Sequence, residues 1–386
     1  MTEFGELLPE IRVAPPGALS QAWVDRLAAS ECPALTQRRA RRAEQTGASF
    51  DPIVWAEARG ANVRDVDDNV YVDLSAGFGA ASVGHAHPRV VEAITRQSQR
   101  LIHALGDLHP SAVKIELLSR LAALFPGLDA RVMLGLSGGD AVEAALKTAL
   151  LFTDRPGVVA FEGAYHGLAH GPLAACGYSA AFRAPFEAQL NPHVQFVAYP
   201  HDASSATATL AAISGRLGAN AIGAVLVEPI LGRGGVVVPP PDFLSELAAL
   251  SHHHGALLIA DEVMTGLGRT GRSFAFERAG VLPDLVCLGK ALGAGMPVSA
   301  CVGSANVMSA WARSSGEALH TGTFFGQPLA AAAALASLDV LRDERLIERA
   351  ERIGGELIAQ LRELATRHPS VREVRGAGLL IGIELQ

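Results

Sequence analysis

Two stretches decide the fold: Ala256-Leu-Leu-Ile-Ala-Asp261 and Asp284-Leu-Val-Cys-Leu-Gly-Lys290. Each carries a short apolar run that ends at a charged residue. Runs of this length, bounded by helical spacing, read as strands buried in a parallel sheet. The same kind of segment occurs at Arg131–Leu136, Gly157–Phe161, Val194–Ala198, Ala224–Glu228 and Ser299–Val302. Helical segments fill the gaps, for example Ala141–Leu151 and Asp242–His253. The alternation predicts an α/β fold, a mostly parallel seven-stranded sheet flanked by helices. In open sheets of this kind ligands sit beyond the carboxyl ends of the strands. Ser137, Glu228, Asp261 and Lys290 all fall at or just past such ends.

Outward from this centre, a Pro15-Pro16-Gly17 turn precedes helical spacing from Gln21 to about Arg42. Short alternating segments, Asn62–Val66 and Val70–Leu74, flank the turn residues Asp67-Asp68-Asn69. Helices are expected from His87-Pro88 to about His103, over Ser111–Leu124, Pro328–Arg342 and Leu346–Thr366, with a terminal strand over Gly378–Glu384. No internal repeat or low-complexity linker is visible.

The 386 residues are 49% hydrophobic and 18% charged, the composition of a packed globular chain. A net charge of -7 argues against a nucleic-acid surface. The one basic cluster, Arg38-Arg39-Ala-Arg41-Arg42, reads as a solvated or intersubunit helix face. The acidic start has no apolar signal region, and no stretch is long and apolar enough to span a membrane. Cys32, Cys176, Cys287 and Cys301 form no CxxC spacing and no disulfide framework. A reduced, cytoplasmic protein is expected. His252-His253-His254 points in three directions on a helix, so it reads as a C-terminal dipole feature and no metal is expected.

Only three lysines occur: Lys114, Lys147 and Lys290. Arginine stays protonated, so amine chemistry has three candidates. Lys114 lies in an amphipathic helix, and Lys147 follows Glu143 at i+4. Lys290 stands between a buried strand and the small-residue run Ala291-Leu-Gly-Ala-Gly295, where burial lowers the amine pKa. Asp261, closing an apolar strand, needs a partner: a helix start, an ion pair, or a protonated ring nitrogen. With Lys290 it forms the layout for pyridoxal phosphate. Ser137-Gly138-Gly139-Asp140 joins a strand to a helix, so its free N–H groups suit an anion. Tyr165, in Tyr165-His-Gly167, offers a ring to stack on a planar partner.

From about Asp51 to its end the chain resembles the class III pyridoxal-phosphate aminotransferases, the group of ornithine, 4-aminobutyrate and acetylornithine transaminases. The resemblance rests on Gly84-His-Ala-His-Pro88, Ser137-Gly-Gly-Asp-Ala141, Tyr165-His-Gly167, Glu228-Pro-Ile230, Leu258-Ile-Ala-Asp-Glu-Val-Met-Thr-Gly266 with Gly268-Arg-Thr-Gly271, and Leu288-Gly-Lys290. Thr321-Gly-Thr-Phe324 with Gln327-Pro-Leu329, and Arg375-Gly-Ala-Gly-Leu379, complete it. It implies fold type I, with residues 66–318 as the large cofactor domain. Residues 1–65 and 319–386 would then form a smaller α+β domain, shortened at its C-terminal part. It implies Lys290 as the Schiff-base lysine, Asp261 on the pyridine nitrogen, and Tyr165 and Val263 on the ring faces. Gly138 and Gly139 would bind phosphate, with Thr323 reaching the phosphate of the second subunit of a homodimer. Arg375 would clamp a substrate carboxylate, and Glu228 would pair with Arg375 when no carboxylate needs it.

Departures are also legible. Gly139 stands where Ser or Thr is usual, Gln327 where Asn precedes Pro, and Leu231 where Gln follows Pro-Ile. Met264 replaces a glutamine, and Phe78, in a substrate-binding place, replaces the tyrosine of ornithine transaminases. The implied reaction moves an amino group from a small-molecule amino donor to a 2-oxo acid. The alternatives are an aminomutase or racemase on the same cofactor, or a non-catalytic scaffold.

Overall fold

The computed structural model describes residues 3–47, 51–218, 221–313 and 316–386. The chain forms two compact units, Met1–Pro88 and Arg89–Gln386.

In the first unit the helical spacing expected as one run is two helices, Ala18–Ser30 and Pro33–Thr46. Pro33 has no N–H to continue the first helix but suits the first turn of the second, so the chain breaks at Cys32. Strands β1 (Trp55–Arg59), β2 (Asn62–Asp65) and β3 (Val70–Val72) pair antiparallel in that order. The buried Asn62 amide ties this sheet to the N-terminal segment. Its Oδ1 accepts from the N–H of Gly5 (3.0 Å) and Leu7 (2.7 Å).

The second unit is built on seven strands: β4 (Ala130–Gly135), β5 (Gly157–Phe161), β6 (Val194–Val197), β7 (Ile222–Val227), β8 (Leu257–Asp261), β9 (Leu285–Leu288) and β10 (Ser299–Ser304). They lie in the order β4-β10-β9-β8-β7-β5-β6. All neighbouring pairs are parallel except those of β10, which runs antiparallel to β9 and β4. Side chains alternate between two cores because the strand period is two. Val159, Phe161, Val225, Val227 and Leu258 face one core, with Ile213, Phe243 and Leu247 of the covering helices. Val158, Ala160, Ala224, Leu226 and Ile259 face the other, with Ala141, Val142 and Ala145 of the helix Gly138–Thr153. With both faces covered, the carboxyl edge is where polar groups can gather.

After the sheet come the helices Pro328–Asp343 and Leu346–Arg367. A hairpin of β11 (Val371–Ala377) and β12 (Leu380–Leu385) follows. The sequence shows only the second of these strands, because β11 alternates charged residues with apolar ones (Val371-Arg-Glu-Val-Arg375) and lacks a continuous apolar run. Among the described residues no helix is long and apolar enough to cross a membrane.

Two adjacent glycines in the helix Leu346–Arg367 give opposite expectations. A Cβ on Gly354 would fall 2.0 Å from Gly378 O, against the turn of the hairpin, whereas one on Gly355 would meet nothing within 4 Å. Gly355→Ala is predicted to stabilise by roughly 0.5–1 kcal/mol through helix propensity. Gly354→Ala is predicted to destabilise by roughly 1–3 kcal/mol, since backbone must shift. Thermal denaturation of the two variants reads the opposite signs.

Candidate active site

The carboxyl ends of β4, β5, β7, β8 and β9 each deliver one part of a single cavity of about 320 Å³. Beyond β4, Ser137 caps the helix Gly138–Thr153. Its Oγ accepts from Asp140 N–H (3.2 Å), and the Asp140 carboxylate accepts from Ser137 N–H (2.9 Å) and Leu136 N–H (2.9 Å). The N–H groups of Asp140 and Ala141 point back to Ser137 O. Those of Gly138 and Gly139 have no intrahelical acceptor, and both residues line the cavity at the positive end of the helix. A Cβ on Gly138 would lie 2.7 Å from Val263 Cγ1, so only glycine lets the helix start approach Val263. At Gly139 the nearest atom to a Cβ would be Ser137 Oγ at 3.6 Å, so packing does not exclude a larger residue there.

Asp261 ends β8 at 4% exposure. One carboxylate oxygen lies 2.7 Å from His166 Nδ1, and the other accepts the N–H of Val263 at 3.0 Å. Glu228, just past β7, accepts from Tyr165 N–H (2.8 Å) on one oxygen and Gly232 N–H (2.9 Å) on the other. Burial pushes the Glu228 carboxyl up to about 7, with His166 pulling the other way and Asp261 adding to the rise. Its two backbone bonds pin Tyr165 on one side and the loop Leu231–Val237 on the other.

Lys290 follows β9 at the edge of the cavity. Its φ of 37° is a left-handed conformation that costs a non-glycine residue about 1–3 kcal/mol. Its amine has no hydrogen-bond or ion-pair partner among the described residues. Burial lowers its pKa, the carboxylates of Asp261 and Glu228 oppose that, and the Arg233 guanidinium reinforces it. The other lysines are occupied: Lys114 Nζ donates to Gly106 O (3.1 Å), and Lys147 pairs with Glu143 (3.2 Å).

The structure therefore brings together Lys290, Asp261, Gly138, Gly139, Tyr165, Glu228 and Val263. Thr323 lies on the exposed turn that precedes the helix Pro328–Asp343, outside this lining. Phe78 belongs to the first unit, exposed and with a left-handed φ of 57°. The expected pair of Glu228 with Arg375 is not formed here; each Glu228 oxygen accepts from a backbone N–H group. Arg375 instead donates to Gly235 O (2.7 Å), Glu373 (2.6 Å) and Glu384. Two residues escape a reading of the sequence. His166 is the buried neighbour of Asp261, and a buried acid at a strand end is itself the signal to seek such a partner. Arg233, in a segment that reads as a plain turn, lines the cavity. His252 pairs with Asp284 (2.9 Å) at the end of its helix. Among the described residues no cluster of His, Cys, Asp and Glu could hold a metal.

Residues 44–386 match the family model described as aminotransferase class-III. The chain is 41% identical over 334 residues to the acetylornithine aminotransferase of Methanopyrus kandleri, covering 86% of this chain and 81% of that protein. It is 32% identical over 395 residues to an alanine/serine racemase of Pyrococcus horikoshii, covering 98% and 80%. The solved ornithine aminotransferase of Toxoplasma gondii, with partial occupancy of PLP at its active site, superposes with a TM-score of 0.79. There the identity is 34%, covering 95% of this chain and 84% of that one. The fold is fold type I of the pyridoxal-phosphate enzymes.

Next to Asp261, Glu262 is buried, accepting from Phe276 N–H (2.9 Å) and from the Thr265 hydroxyl. Burial pushes its carboxyl from 4.5 up to about 7. A raised carboxyl pKa gives stability that is complete below the unfolded value and is lost as pH rises through the folded one. Glu262→Gln can still accept from Phe276 N–H on its amide oxygen and can donate to the Thr265 hydroxyl, and it has no ionisable proton. It is predicted to flatten part of the fall in thermal midpoint between pH 4.5 and about 7. A variant with the wild-type slope would contradict the burial of a protonated Glu262.

Proposed function

The chain belongs to the class-III aminotransferases, and on that premise we propose that it transfers an amino group from a small-molecule donor to a 2-oxo acid, with pyridoxal 5'-phosphate held around Lys290. The observation that carries this reading is the single cavity that joins an unpaired amine, a buried carboxylate and two free N–H groups. The donor set suits that cofactor. The close approach of Gly138 to Val263 leaves a slot that any Cβ would fill, beside a helix start suited to a phosphate dianion.

When bound, pyridoxal phosphate supplies an electrophilic carbonyl and an electron sink. The rest falls to this chain's own residues. Gly138 and Gly139 hold the phosphate through N–H groups. Asp261, oriented by His166 and by the N–H of Val263, holds a proton at the ring nitrogen by a charge-assisted hydrogen bond. Tyr165 and Val263 cover the two ring faces, and Glu228 fixes Tyr165 by its backbone. Lys290 supplies the amine nucleophile, and burial lowers its basicity, the direction that favours its neutral form. Once free, the same amine takes a proton from the substrate carbon that bears nitrogen and later returns one.

The same reading has Thr323 reaching the phosphate of a second copy in a homodimer, Phe78 and Arg375 serving substrates, and a cytoplasmic location. It also divides the chain at 1–65, 66–318 and 319–386. A second reading, a racemase that keeps the amino group on one substrate, draws on the 32% identity to the Pyrococcus horikoshii enzyme. Incubating one amino compound with an added oxo acid separates them, since only a transaminase yields a new amino acid from the added oxo acid.

Lys290→Ala is predicted to lower amino transfer by about 10²–10⁴-fold or more, the usual contribution of a positioned proton-transfer group. Steady-state assays over a panel of donors (4-aminobutyrate, ornithine, acetylornithine, 5-aminovalerate) with 2-oxoglutarate or pyruvate check this. A variant within about threefold of the wild type would overturn the assignment, far short of that contribution.

A further inference from the structure

Arg233 lines the same cavity as Lys290, and its charge is unmatched. The two carboxylates on that lining are engaged elsewhere: Asp261 with His166 at 2.7 Å, and Glu228 with the N–H groups of Tyr165 and Gly232. Among the described residues no carboxylate lies within ion-pair distance of Arg233, and its N–H donors have no acceptor. Arg233 is exposed, whereas Asp261 and Glu228 are buried. It therefore stands at the mouth of the cavity, and they stand at its inner end.

Aromatic rings, not anions, set the position of this cation. Its guanidinium carbon lies 4.5 Å from the ring centre of Tyr165, 4.8 Å from that of Tyr178 and 5.8 Å from that of Phe182. Tyr178 stacks on Phe182 with centroids 5.9 Å apart and meets Tyr165 edge to face at 6.3 Å. A ring face attracts a cation without neutralising it. The backbone is fixed as well: Gly232 N–H donates to Glu228, and Leu231 and Val237 exchange two hydrogen bonds of 3.0 Å. The result is a permanent positive charge held in one place.

An amino donor brings its reacting nitrogen to Lys290 and leaves its far end towards the mouth. A far end that carries a second ammonium meets Arg233 as a like charge, with no free carboxylate on the lining to offset it. A neutral or anionic far end meets no such repulsion, and the carboxylate role proposed for Arg375 stands beside it. We propose that Arg233 is a specificity-determining residue that excludes diamines, so that the donors are monoamines with a neutral or anionic far end. This rests on the transaminase reading above, whose donor class it narrows.

The test uses the enzyme loaded with pyridoxal phosphate and two amines of equal length, pentylamine and 1,5-diaminopentane. They differ in the charge of the far end, and neither offers Arg375 a carboxylate. Each is scored as a competitor of the best donor from the panel above, so the comparison does not require it to react. The wild type is expected to bind pentylamine about tenfold or more tightly than the diamine, the scale of one partly screened charge contact. Arg233→Gln should bring that preference below about threefold, and Arg233→Lys should keep it, because the charge and not the planar fork repels. A variant that merely loosens the site weakens both amines alike. If Arg233→Gln leaves the preference at its wild-type value, the proposal is overturned, and a wild type that does not prefer pentylamine overturns it too. Failure of the underlying reading looks different: no donor of the panel passes its amino group to an added oxo acid.

Discussion

A carboxylate at the end of an apolar strand has to be neutralised by whatever can reach it, and Asp261 organises its surroundings accordingly. Buried at 4% exposure, it draws His166 from the loop after β5 and the N–H of Val263 from its own turn. Those contacts fix the positions of Tyr165 and Val263, the two residues proposed to enclose a ring. Glu228 does the same one strand away, tying Tyr165 N–H to Gly232 N–H. Lys290 completes the set from β9, held in a left-handed backbone with no partner for its amine among the described residues. A parallel sheet makes this convergence possible, because its strands end on a common edge while helices bury both faces.

Much of this is legible in the sequence, and the parts that are not share a cause. Apolar runs mark buried strands, so all seven sheet strands stand out, with ends within a residue or two. Short motifs mark backbone needs, so Gly138-Gly139 and Lys290 stand out as well. Partnerships between side chains are different, because they depend on which groups the fold brings within reach. The family resemblance pairs Glu228 with Arg375, but here Glu228 accepts from two backbone N–H groups and Arg375 pairs with Glu373 and Glu384. The strand Val371–Ala377 is hidden because a half-exposed hairpin strand carries charges on one face, and Pro33 splits a helical spacing that otherwise looks continuous. Arg233 is hidden for a simpler reason. Glycines on both sides make its segment read as a turn, whereas the three aromatic rings that hold it come from distant segments.

The charge pattern around the cavity follows from the same burial. Desolvation pushes Glu228 and Glu262 up to about 7 and pulls Lys290 down, so burial disfavours the charged form of each. In such surroundings a permanent cation has a large effect. The Arg233 guanidinium, on the lining of the same cavity, further lowers the basicity of Lys290.

At the centre is the identity of the reacting amine. The chain has three lysines, and Lys114 and Lys147 are engaged with Gly106 O and Glu143. Borohydride reduction of the protein loaded with pyridoxal phosphate, followed by peptide mass mapping, reads that identity directly. A single phosphopyridoxyl mass on the peptide that contains Lys290 is the expected result. Label on Lys114 or Lys147 with Lys290 unmodified, or no label at all, would contradict it.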